Sequence, residues 1–455
     1  MKVLKFGGTS VGTVESLRNL KGIVDSLDEP AVVVVSALGG LTDQLIATAN
    51  IAATADPQYK ENIKAFTKRH FDIIEEMVPA DRRPLVKEQV SALLKELADI
   101  YTGISLIKDV PENVLAKVVS FGERMSSIMV ANILADADHK DSLRFMKTEK
   151  WFNKNIAERQ LTERLIRDEF QLPLKRHAVC GGFISLDKDT GDITNLGRGG
   201  SDYTAALIAA ALNASLLEIW TDVDGFMTAD PRIIKEASVI GHMSFIESME
   251  LCSFGAKVIY PPTIYPVFHK NIPIKILNTH NPSAPGTLIT DCSEDLPKEV
   301  RGVSSVRKSS MVTLSGNIAA NVAEINSRTY NAMARNGISV FLVAQPKRES
   351  SFSLSMDEKD ADRAVEILRR EFAPELQSGE LFEINARKDL AIIAVVRESI
   401  KELQGLGARL VNTLERENVH VKAISDGASE TTIAIVVDNP DTEKALNLVH
   451  TACFG

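Results

Sequence analysis

Residues 195–204 read NLGRGGSDYT, and residues 205–212 continue the chain as AALIAAAL. The three glycines around Arg198 let the backbone turn tightly and expose its N–H groups, and the arginine fork suits a carboxylate or a phosphate. Ser201 or Asp202 can cap a helix, which the alanine-rich run has the propensity to continue. A glycine loop that leads into a helix N-terminus favours anion binding. Alone, however, the stretch is explained equally well as a glycine turn before an ordinary core helix.

The same order of strand, glycine loop and helix occurs twice near the start of the chain. Residues 3–8 read VLKFGG, and residues 31–35 read AVVVV before a second glycine loop that opens a helix at about Thr42. Two such units predict a parallel α/β sheet with its loops gathered at the carboxyl edge, where ligands bind. Lys5, at the end of the first strand, supplies a mobile positive charge for a phosphate. The Walker A order of residues is absent from this loop.

Two further stretches in the first half of the chain carry candidate chemistry. The pattern around residues 118–124, VVSFGER, predicts a helix over residues 125–135 with Glu123 at its start. Glu123 is then either a partner of the helix dipole or a carboxylate that receives a substrate ammonium. Residues 178–184, AVCGGFI, predict one strand that carries a glycine pair. The segment between residues 43 and 106 is predicted to be helical and without chemistry.

Residues 221–232 read TDVDGFMTADPR and hold three acidic residues within ten positions. They lack the spacing and the terminal glutamate of an EF-hand, so a turn-rich nucleotide loop is favoured over a calcium site.

Composition excludes several classes of protein. The net charge of −9 argues against binding to a nucleic-acid backbone. The four cysteines are scattered without Cys-x-x-Cys spacing, and the eight histidines show no ligand spacing, so no metal site or disulfide framework is indicated. The apolar run at residues 1–8 is too short for a signal peptide, and no apolar run is long enough to cross a membrane. We therefore expect a cytoplasmic protein that binds neither nucleic acid nor membrane.

An internal repeat with an offset of about 81 residues follows a turn-rich and charged region around residues 281–301. Residues 311–314 align with residues 392–395, and residues 338–340 align with residues 419–421. Each unit reads as strand, helix, strand, turn and strand, which predicts a small α+β module used twice.

Taken together, six motifs in the right order resemble the aspartate kinase family. They are KFGGTS at residues 5–10, FGE at 121–123, GRGGSD at 197–202, TDVDG at 221–225, DPR at 230–232 and GAKV at 255–258. The tandem modules resemble the paired ACT domains of that family. The C-terminal half is most similar to the kinase portion of bifunctional aspartate kinase–homoserine dehydrogenases. Because no dinucleotide fingerprint follows, we expect a monofunctional kinase.

The resemblance implies an α/β amino-acid-kinase fold over residues 1–295, with a mainly parallel sheet sandwiched by helices. Two ferredoxin-like ACT modules are expected at residues 300–385 and 386–455, and the C-terminal segment is able to complete the first of them.

The resemblance also implies a reaction. It is the ATP-dependent phosphorylation of the L-aspartate β-carboxylate to 4-phospho-L-aspartate, the first step of lysine, threonine and methionine biosynthesis. The carboxylate acceptor is already ionised near pH 7, so no general base is required. The expected cofactor is ATP with Mg²⁺, and the metal is held mainly by ATP rather than by protein ligands.

The resemblance assigns roles to individual residues. The implied catalytic residues are Lys5 and Asp202. The implied aspartate-binding residues are Ser36, Thr42, Glu123, Arg198, Gly199, Gly200 and Ser201. The implied ATP-binding residues are Lys5, Gly7, Gly8, Thr221, Asp222, Met227, Arg232, Lys257 and Val258. Arg198 would pair with the α-carboxylate, Glu123 would receive the α-ammonium, and Asp202 would orient Lys5. Relatives often carry an aromatic residue where this chain has Met227, but methionine is also able to cover an adenine.

Finally, the ACT pair implies feedback by an end-product amino acid and a homodimer formed through these modules. Gln345 falls where threonine-sensing relatives place a ligand-contacting glutamine, whereas the equivalent Asp426 departs from that pattern. We expect threonine or lysine as the effector.

Two alternatives remain open at this stage. One is another enzyme of the same fold that acts on glutamate, acetylglutamate or a nucleotide. Such enzymes usually lack the tandem ACT tail and the KFGGTS opening. The other is an inactive ACT-bearing ligand sensor, which would have no need of the intact set formed by Lys5, Glu123, Arg198 and Asp202.

Overall fold

The computed structural model describes the chain except residues 152–153, 292–299, 317–321, 345–350, 401–402 and 426–429. The chain forms two compact units. The first comprises Met1–Phe226, Val239–Phe245 and Val258–Cys292, and the second comprises Met227–Ser238, Ile246–Lys257 and Ser293–Gly455. Two short segments within residues 1–295 thus belong to the second unit, and the domain boundaries drawn from the sequence stay a prediction.

The strands of the first unit form two sheets. In chain order they are β1 (Lys2–Phe6), β2 (Val32–Val35), β3 (Ala137–Lys140), β4 (Lys147–Trp151), β5 (Lys154–Ala157), β6 (His177–Gly181), β7 (Ile184–Asp187), β8 (Ile193–Asn195), β9 (Leu216–Thr221), β10 (His242–Ser244), β11 (Ile274–Asn278) and β12 (Thr287–Thr290). The larger sheet has the order β10-β12-β11-β9-β1-β2-β6-β3, and the smaller has the order β5-β4-β7-β8. All neighbours in the larger sheet are parallel except β11 and β12. This confirms the predicted, mainly parallel sheet.

Ten α-helices are described between residues 8 and 268. They are α1 (Gly8–Val11), α2 (Val14–Asp25), α3 (Leu41–Ala53), α4 (Gln58–Met77), α5 (Arg83–Ile107), α6 (Glu112–Ile133), α7 (Arg159–Glu169), α8 (Gly200–Ala211), α9 (Phe245–Ser253), most of which belongs to the second unit, and α10 (Ile264–Phe268). The predicted helix after the first glycine loop is α2. Thr13 caps it through a reciprocal bond with Ser16, and Leu17, Leu20 and Val24 are buried along one face.

The sheet order explains why the glycine loops gather. Strands β9, β1, β2 and β6 are parallel neighbours, so their carboxyl ends lie along one edge. The first glycine loop follows β1, the second follows β2, and the glycine pair Gly181-Gly182 ends β6. The expected meeting of these loops at one edge is confirmed.

Two local predictions are wrong. Glu123 does not start a helix but lies in the middle of α6, which spans 22 residues. Burial of nearly the whole second half of α6 overrides the weak helix propensity of Gly122, so the helix continues through that glycine. Residues 178–184 do not form one strand. Phe183 has a φ of 67°, which turns the chain out of the larger sheet at β6 and into the smaller sheet at β7.

The second unit contains a six-stranded antiparallel sheet with the order β14-β15-β13-β16-β18-β17. Its strands are β13 (Gly302–Gly316), β14 (Leu342–Ala344), β15 (Ser351–Asp357), β16 (Leu381–Val396), β17 (Ala423–Ser425) and β18 (Thr432–Asp438). Its helices after α9 are α11 (Val322–Arg335), α12 (Ala361–Glu371), α13 (Ala373–Ser378), α14 (Leu406–Arg416) and α15 (Thr442–Phe454).

The predicted repeat is confirmed, with one added helix in each copy. Strands β17 and β18 lie about 81 residues after β14 and β15, and α12 and α15 close the two copies. The long strands β13 and β16 serve both copies, because the later half of each pairs with the earlier half of the other. Lys308 in β13 and Asp389 in β16 lie at equivalent positions of the two copies, and both interrupt their strand with a positive φ, of 53° and 57°. The predicted border between residues 385 and 386 therefore lies inside β16.

No helix within the described ranges is long and apolar enough to cross a membrane.

Candidate active site

A cavity of about 390 Å³ opens at the carboxyl edge of the larger sheet. Its lining residues come from the end of β1, from the loops after β2 and β6, from α6, from the starts of α1 and α3, and from the loop before α8 and the first turn of that helix. They are Lys5, Gly8, Ser36, Ala37, Leu38, Gly39, Gly40, Thr42, Asp43, Glu123, Phe183, Gly197, Gly199, Gly200, Ser201 and Asp202. The cavity thus brings together nine of the residues singled out from sequence. These are Lys5, Gly8, Ser36, Thr42, Glu123, Gly199, Gly200, Ser201 and Asp202.

One side of the cavity holds a closed ion pair. Lys5 lies at the end of β1 and Asp202 in the first turn of α8, and their Nζ and Oδ1 atoms are 2.5 Å apart. Both side chains are only 11% exposed. A Cβ atom on Gly7 would lie 3.4 Å from Nζ, so the first glycine loop passes beside the ammonium. The pair fixes the position of a cation at the head of the first glycine loop.

The other side of the cavity holds a carboxyl group that forms no salt bridge with any residue that the structure describes. Glu123 is 4% exposed, and its Oε1 atom accepts a hydrogen bond of 3.1 Å from the Ala37 N–H. Its Oε2 atom has no hydrogen-bond partner among the described residues. Burial raises the pKa of Glu123 from 4.5 to about 8, although the bond from Ala37 opposes the shift. Burial therefore favours the uncharged form of Glu123 at neutral pH.

Glycines bring these elements closer than other residues would allow. A Cβ atom on Gly122 would lie 2.6 Å from the Cβ of Ala37, and one on Gly181 would lie 3.1 Å from the Cβ of Glu123. A Cβ atom on Gly182 would lie 2.6 Å from Cα of Ser201. Sequence reasoning noted the glycine pair but missed its role, which is to seat Glu123 and the start of α8 against β6.

Helices α3 and α8 start at the cavity. Gly40 precedes α3 at a φ of 76°, and Gly199 precedes α8 at a φ of 67°. A Cβ atom on Gly199 would also overlap Tyr260, at 2.1 Å, so this position requires glycine on two grounds. Ser36 donates a hydrogen bond of 3.0 Å to Ser201, which links the second glycine loop to α8. The positive ends of two helix dipoles and the Lys5 ammonium therefore favour anions here.

Arg198 lies apart from this group. Its side chain is exposed and lines a neighbouring cavity of about 520 Å³, which shares Thr42, Phe183 and Gly197 with the first. Its pairing with a substrate carboxylate stays a prediction.

The remaining predicted nucleotide residues divide between the two units. Gly7, Thr221, Asp222 and Val258 belong to the first unit, whereas Met227, Arg232 and Lys257 belong to the second. In the first unit, Gly7 N–H donates to the Trp220 carbonyl at 3.1 Å, so the end of β9 adjoins the first glycine loop.

In the second unit, the Arg232 side chain is 82% exposed and bonds to both carboxylate oxygens of Asp230, at 2.9 and 2.7 Å. This contact lowers the pKa of Asp230 and raises that of Arg232. The nucleotide roles of all seven residues stay predictions. Gln345 and Asp426 lie outside the described residues.

The comparisons with known proteins agree with this geometry. The pattern of the amino acid kinase family matches residues 1–278, and that of the ACT domain matches residues 312–372 and 393–453. The lysine-sensitive aspartokinase 3 of Escherichia coli is 30% identical over 468 residues, which cover 99% of both chains. The chain belongs to the aspartokinases of the amino acid kinase family.

Other aspartokinases match over the full chain. The bifunctional aspartokinase/homoserine dehydrogenase of Haemophilus influenzae is 32% identical over 468 residues, which cover 100% of this chain and 57% of that protein. The chain thus spans about half the length of the bifunctional relatives that it matches. The crystal structure of E. coli aspartokinase III with aspartate and ADP, in the R-state, superposes with a TM-score of 0.86 at 28% identity, over 100% of both chains. The same protein with lysine and aspartate, in the T-state, gives a TM-score of 0.76.

Proposed function

We propose that this chain is an aspartate kinase, which transfers the γ-phosphoryl group of ATP to the β-carboxylate of L-aspartate. The observation that carries the proposal is the presence in one cavity of two buried carboxyl groups that differ in their partners. Asp202 already forms an ion pair with the Lys5 ammonium, and Glu123 lines the cavity with one oxygen that has no hydrogen-bond partner among the described residues. An amino acid supplies that cation, and the E. coli relative was crystallised with aspartate and ADP.

On the acceptor side, Glu123 receives the α-ammonium of aspartate. Contact with that ammonium opposes the effect of burial on the Glu123 pKa and favours the ionised form. Arg198 pairs with the α-carboxylate, which requires its exposed side chain to turn from the neighbouring cavity towards the first. Ser201 adds a hydrogen bond, and Ser36 and Thr42 line the space for the β-carboxylate.

On the donor side, Lys5 and the backbone N–H groups of Gly7 and Gly8 hold the phosphates of ATP. Asp202 orients Lys5 through their ion pair, in which Nζ and Oδ1 are 2.5 Å apart. The other nucleotide-binding residues in this proposal are Thr221, Asp222, Met227, Arg232, Lys257 and Val258.

A resident metal is not part of the proposal. Within the described ranges, no group of three or more His, Cys, Asp or Glu side chains could hold a metal ion, and Asp202 is committed to Lys5. These residues fit a Mg²⁺ ion that is carried mainly by the ATP phosphates. When bound, Mg²⁺ neutralises part of the phosphate charge.

The chemical step needs no proton transfer from the acceptor. One oxygen of the ionised β-carboxylate forms a bond to the γ-phosphorus while the bond to the bridging oxygen breaks. ADP leaves with that electron pair, and 4-phospho-L-aspartate remains. Catalysis then consists of holding two anions together and balancing their charge, which Lys5 and the two helix N-termini do.

The proposal is tested by trapping the acyl phosphate with hydroxylamine. With ATP and Mg²⁺, we expect hydroxamate from L-aspartate and only background from L-glutamate and N-acetylglutamate. Hydroxamate from glutamate but not from aspartate would contradict the proposal in favour of another enzyme of the same fold. No product with any acceptor would favour the inactive sensor.

For regulation, we propose that an end-product amino acid binds the ACT repeats, that it inhibits the kinase, and that the chain forms a homodimer through these modules. Threonine and lysine are the two candidates, and the name of the E. coli relative gives lysine for that protein. A thermal-shift screen with threonine, lysine and methionine identifies the effector, because a ligand of the folded state raises the melting temperature. If none of the three amino acids raised the melting temperature, the proposed feedback would be contradicted.

A further inference from the structure

One side chain connects the helical segment of the first unit to the glycine loops of the cavity. Arg69, on α4, uses its Nη2 atom to donate two hydrogen bonds to backbone carbonyls. One goes to Gly12 at 3.0 Å and the other to Gly39 at 2.9 Å. Gly12 lies between α1 and α2, in the segment that follows β1, and Gly39 lies in the loop between β2 and α3. A single nitrogen therefore ties the two loops together.

The two loops touch at this point without intervening side chains. A Cβ atom on Gly12 would lie 3.2 Å from the Gly39 nitrogen, and one on Gly39 would lie 3.0 Å from the Gly8 carbonyl oxygen. Gly8 and Gly39 themselves line the cavity. The distance between these backbones sets the distance between the two faces of the site.

Arg69 is itself firmly held. On α4, Phe66, Ile73 and Ile74 are buried in the core, and His70 is fully buried with its Nδ1 atom 2.7 Å from the Phe66 carbonyl. The Arg69 side chain is half-buried, and burial lowers the pKa of its guanidinium. A cation taken partly out of water and directed at two carbonyls restrains both loops more strongly than a neutral donor would.

We propose that Arg69 is a positioning residue for phosphoryl transfer. It holds the segment of residues 7–13 and the loop of residues 36–40 at the separation that brings the two substrates together. The inference rests on the proposed function, which assigns the first segment to ATP and the second loop to aspartate. Because a displacement of about 1 Å can cost about 100-fold in rate, a tie of this kind acts on turnover without touching either substrate.

The chain contains a matched control. Arg82 is also half-buried and also donates to two successive backbone carbonyls, of Leu134 at 3.1 Å and of Ala135 at 3.2 Å. Neither carbonyl belongs to the lining of the cavity. Loss of Arg82 removes the same kind of contact from the same unit but leaves the glycine loops tied.

The experiment compares Arg69→Met, Arg69→Lys and Arg82→Met with the wild-type chain. We expect Arg69→Met to lower kcat at least about 30-fold while the KM values for ATP and aspartate change less than about threefold. Arg69→Lys should recover part of kcat, and Arg82→Met should stay within about twofold of wild type. In Arg69→Ala, guanidinium chloride at about 20 mM should restore more activity than NaCl at the same concentration, because it returns the planar donor.

A second measurement does not depend on activity. Hydrogen–deuterium exchange should increase in peptides that contain residues 7–13 and 36–40 of Arg69→Met, or of Arg69→Lys if the methionine variant does not fold, and should stay unchanged there in Arg82→Met. A kcat for Arg69→Met within twofold of wild type would overturn the inference, as would equal losses in Arg69→Met and Arg82→Met. A wild-type chain that forms no aspartyl phosphate would contradict the proposed function instead. In that case the exchange pattern still decides whether Arg69 ties the loops.

Discussion

The two sides of the cavity each hold a buried carboxyl group, but they differ in whether the chain provides a cation for it. Asp202 faces Lys5 at 2.5 Å, so its charge is balanced before any ligand arrives. Glu123 accepts a hydrogen bond from the Ala37 N–H and forms no salt bridge with a described residue, and burial raises its pKa to about 8. The difference lies in whether the chain supplies a cation. One side presents a positive charge of the chain itself, whereas the other receives, in the proposed function, a positive charge from the ligand.

The largest effect is expected on the paired side. Lys5→Met should lower kcat by about a thousandfold or more, because it removes the cation that balances the transferring phosphoryl group. Asp202→Ala should lower kcat by orders of magnitude as well, with the fold retained. Steady-state kinetics by hydroxamate trapping measures both variants. Lys2→Met is the control, since Lys2 lies on the same strand but pairs with Glu218 at 2.9 Å outside the cavity. A Lys5→Met enzyme with a nearly wild-type rate would refute the assignment of this side.

On the unpaired side, Glu123→Gln should lower kcat/KM for aspartate about 100-fold and change the KM for ATP less than about threefold. The glutamine amide keeps the size of the side chain and still accepts a hydrogen bond from the Ala37 N–H. It cannot form a salt bridge with an ammonium group, because it carries no charge. Glu218→Gln is the matched control, because Glu218 is also buried but pairs with Lys2 and Trp220. Equal losses for ATP and aspartate in Glu123→Gln would mean that the two sides are not separate in function.

The pH dependence of aspartate binding sharpens the comparison. Below pH 8 burial favours the protonated form of Glu123, whereas the proposed contact with the ammonium requires the ionised form. Each pH unit below 8 should therefore weaken the apparent affinity for aspartate by up to about tenfold, and the KM for aspartate should fall as the pH rises from 6.5 to 8. The measurement is the KM for aspartate across this range at saturating ATP. A KM that does not change would contradict the uncharged Glu123.

The smallest effect is on stability without ligand. An unfolded chain loses the Glu123 proton near pH 4.5, whereas the folded chain keeps it to about pH 8. Over that window the unfolded state binds fewer protons, so the contribution of Glu123 to the free energy of unfolding decreases as pH rises. We expect the melting temperature of Glu123→Gln minus that of the wild type to increase by a few degrees between pH 5.5 and pH 8. Calorimetry measures both melting temperatures. Parallel pH profiles for the two proteins would contradict this.

Much of this arrangement was predictable from local sequence. The β-branched runs and the glycines after them predicted parallel strands with their loops at one edge, and the offset of about 81 residues predicted the two modules. Lys5, Glu123 and Asp202 were identified through motifs, and the structure places them in one cavity.

What the sequence could not predict depends on tertiary packing. Burial of α6 carries the helix through Gly122, which moves Glu123 from a helix start to a helix interior. The turn at Phe183 divides a run that reads as one strand between two sheets. Arg69 carries no motif, and its two carbonyl partners, Gly12 and Gly39, lie 57 and 30 positions away in the sequence, so nothing local marks it.

The most direct test of the account is the number of protons exchanged when aspartate binds. Isothermal titration of the ADP-bound protein at pH 7, in buffers that differ in ionisation enthalpy, measures that number. The account predicts that nearly one proton is released per site, because Glu123 passes from its uncharged form to a carboxylate that holds the α-ammonium. Aspartate binding without proton release would show that Glu123 is already charged in the empty cavity or does not receive the ammonium, and would contradict the account.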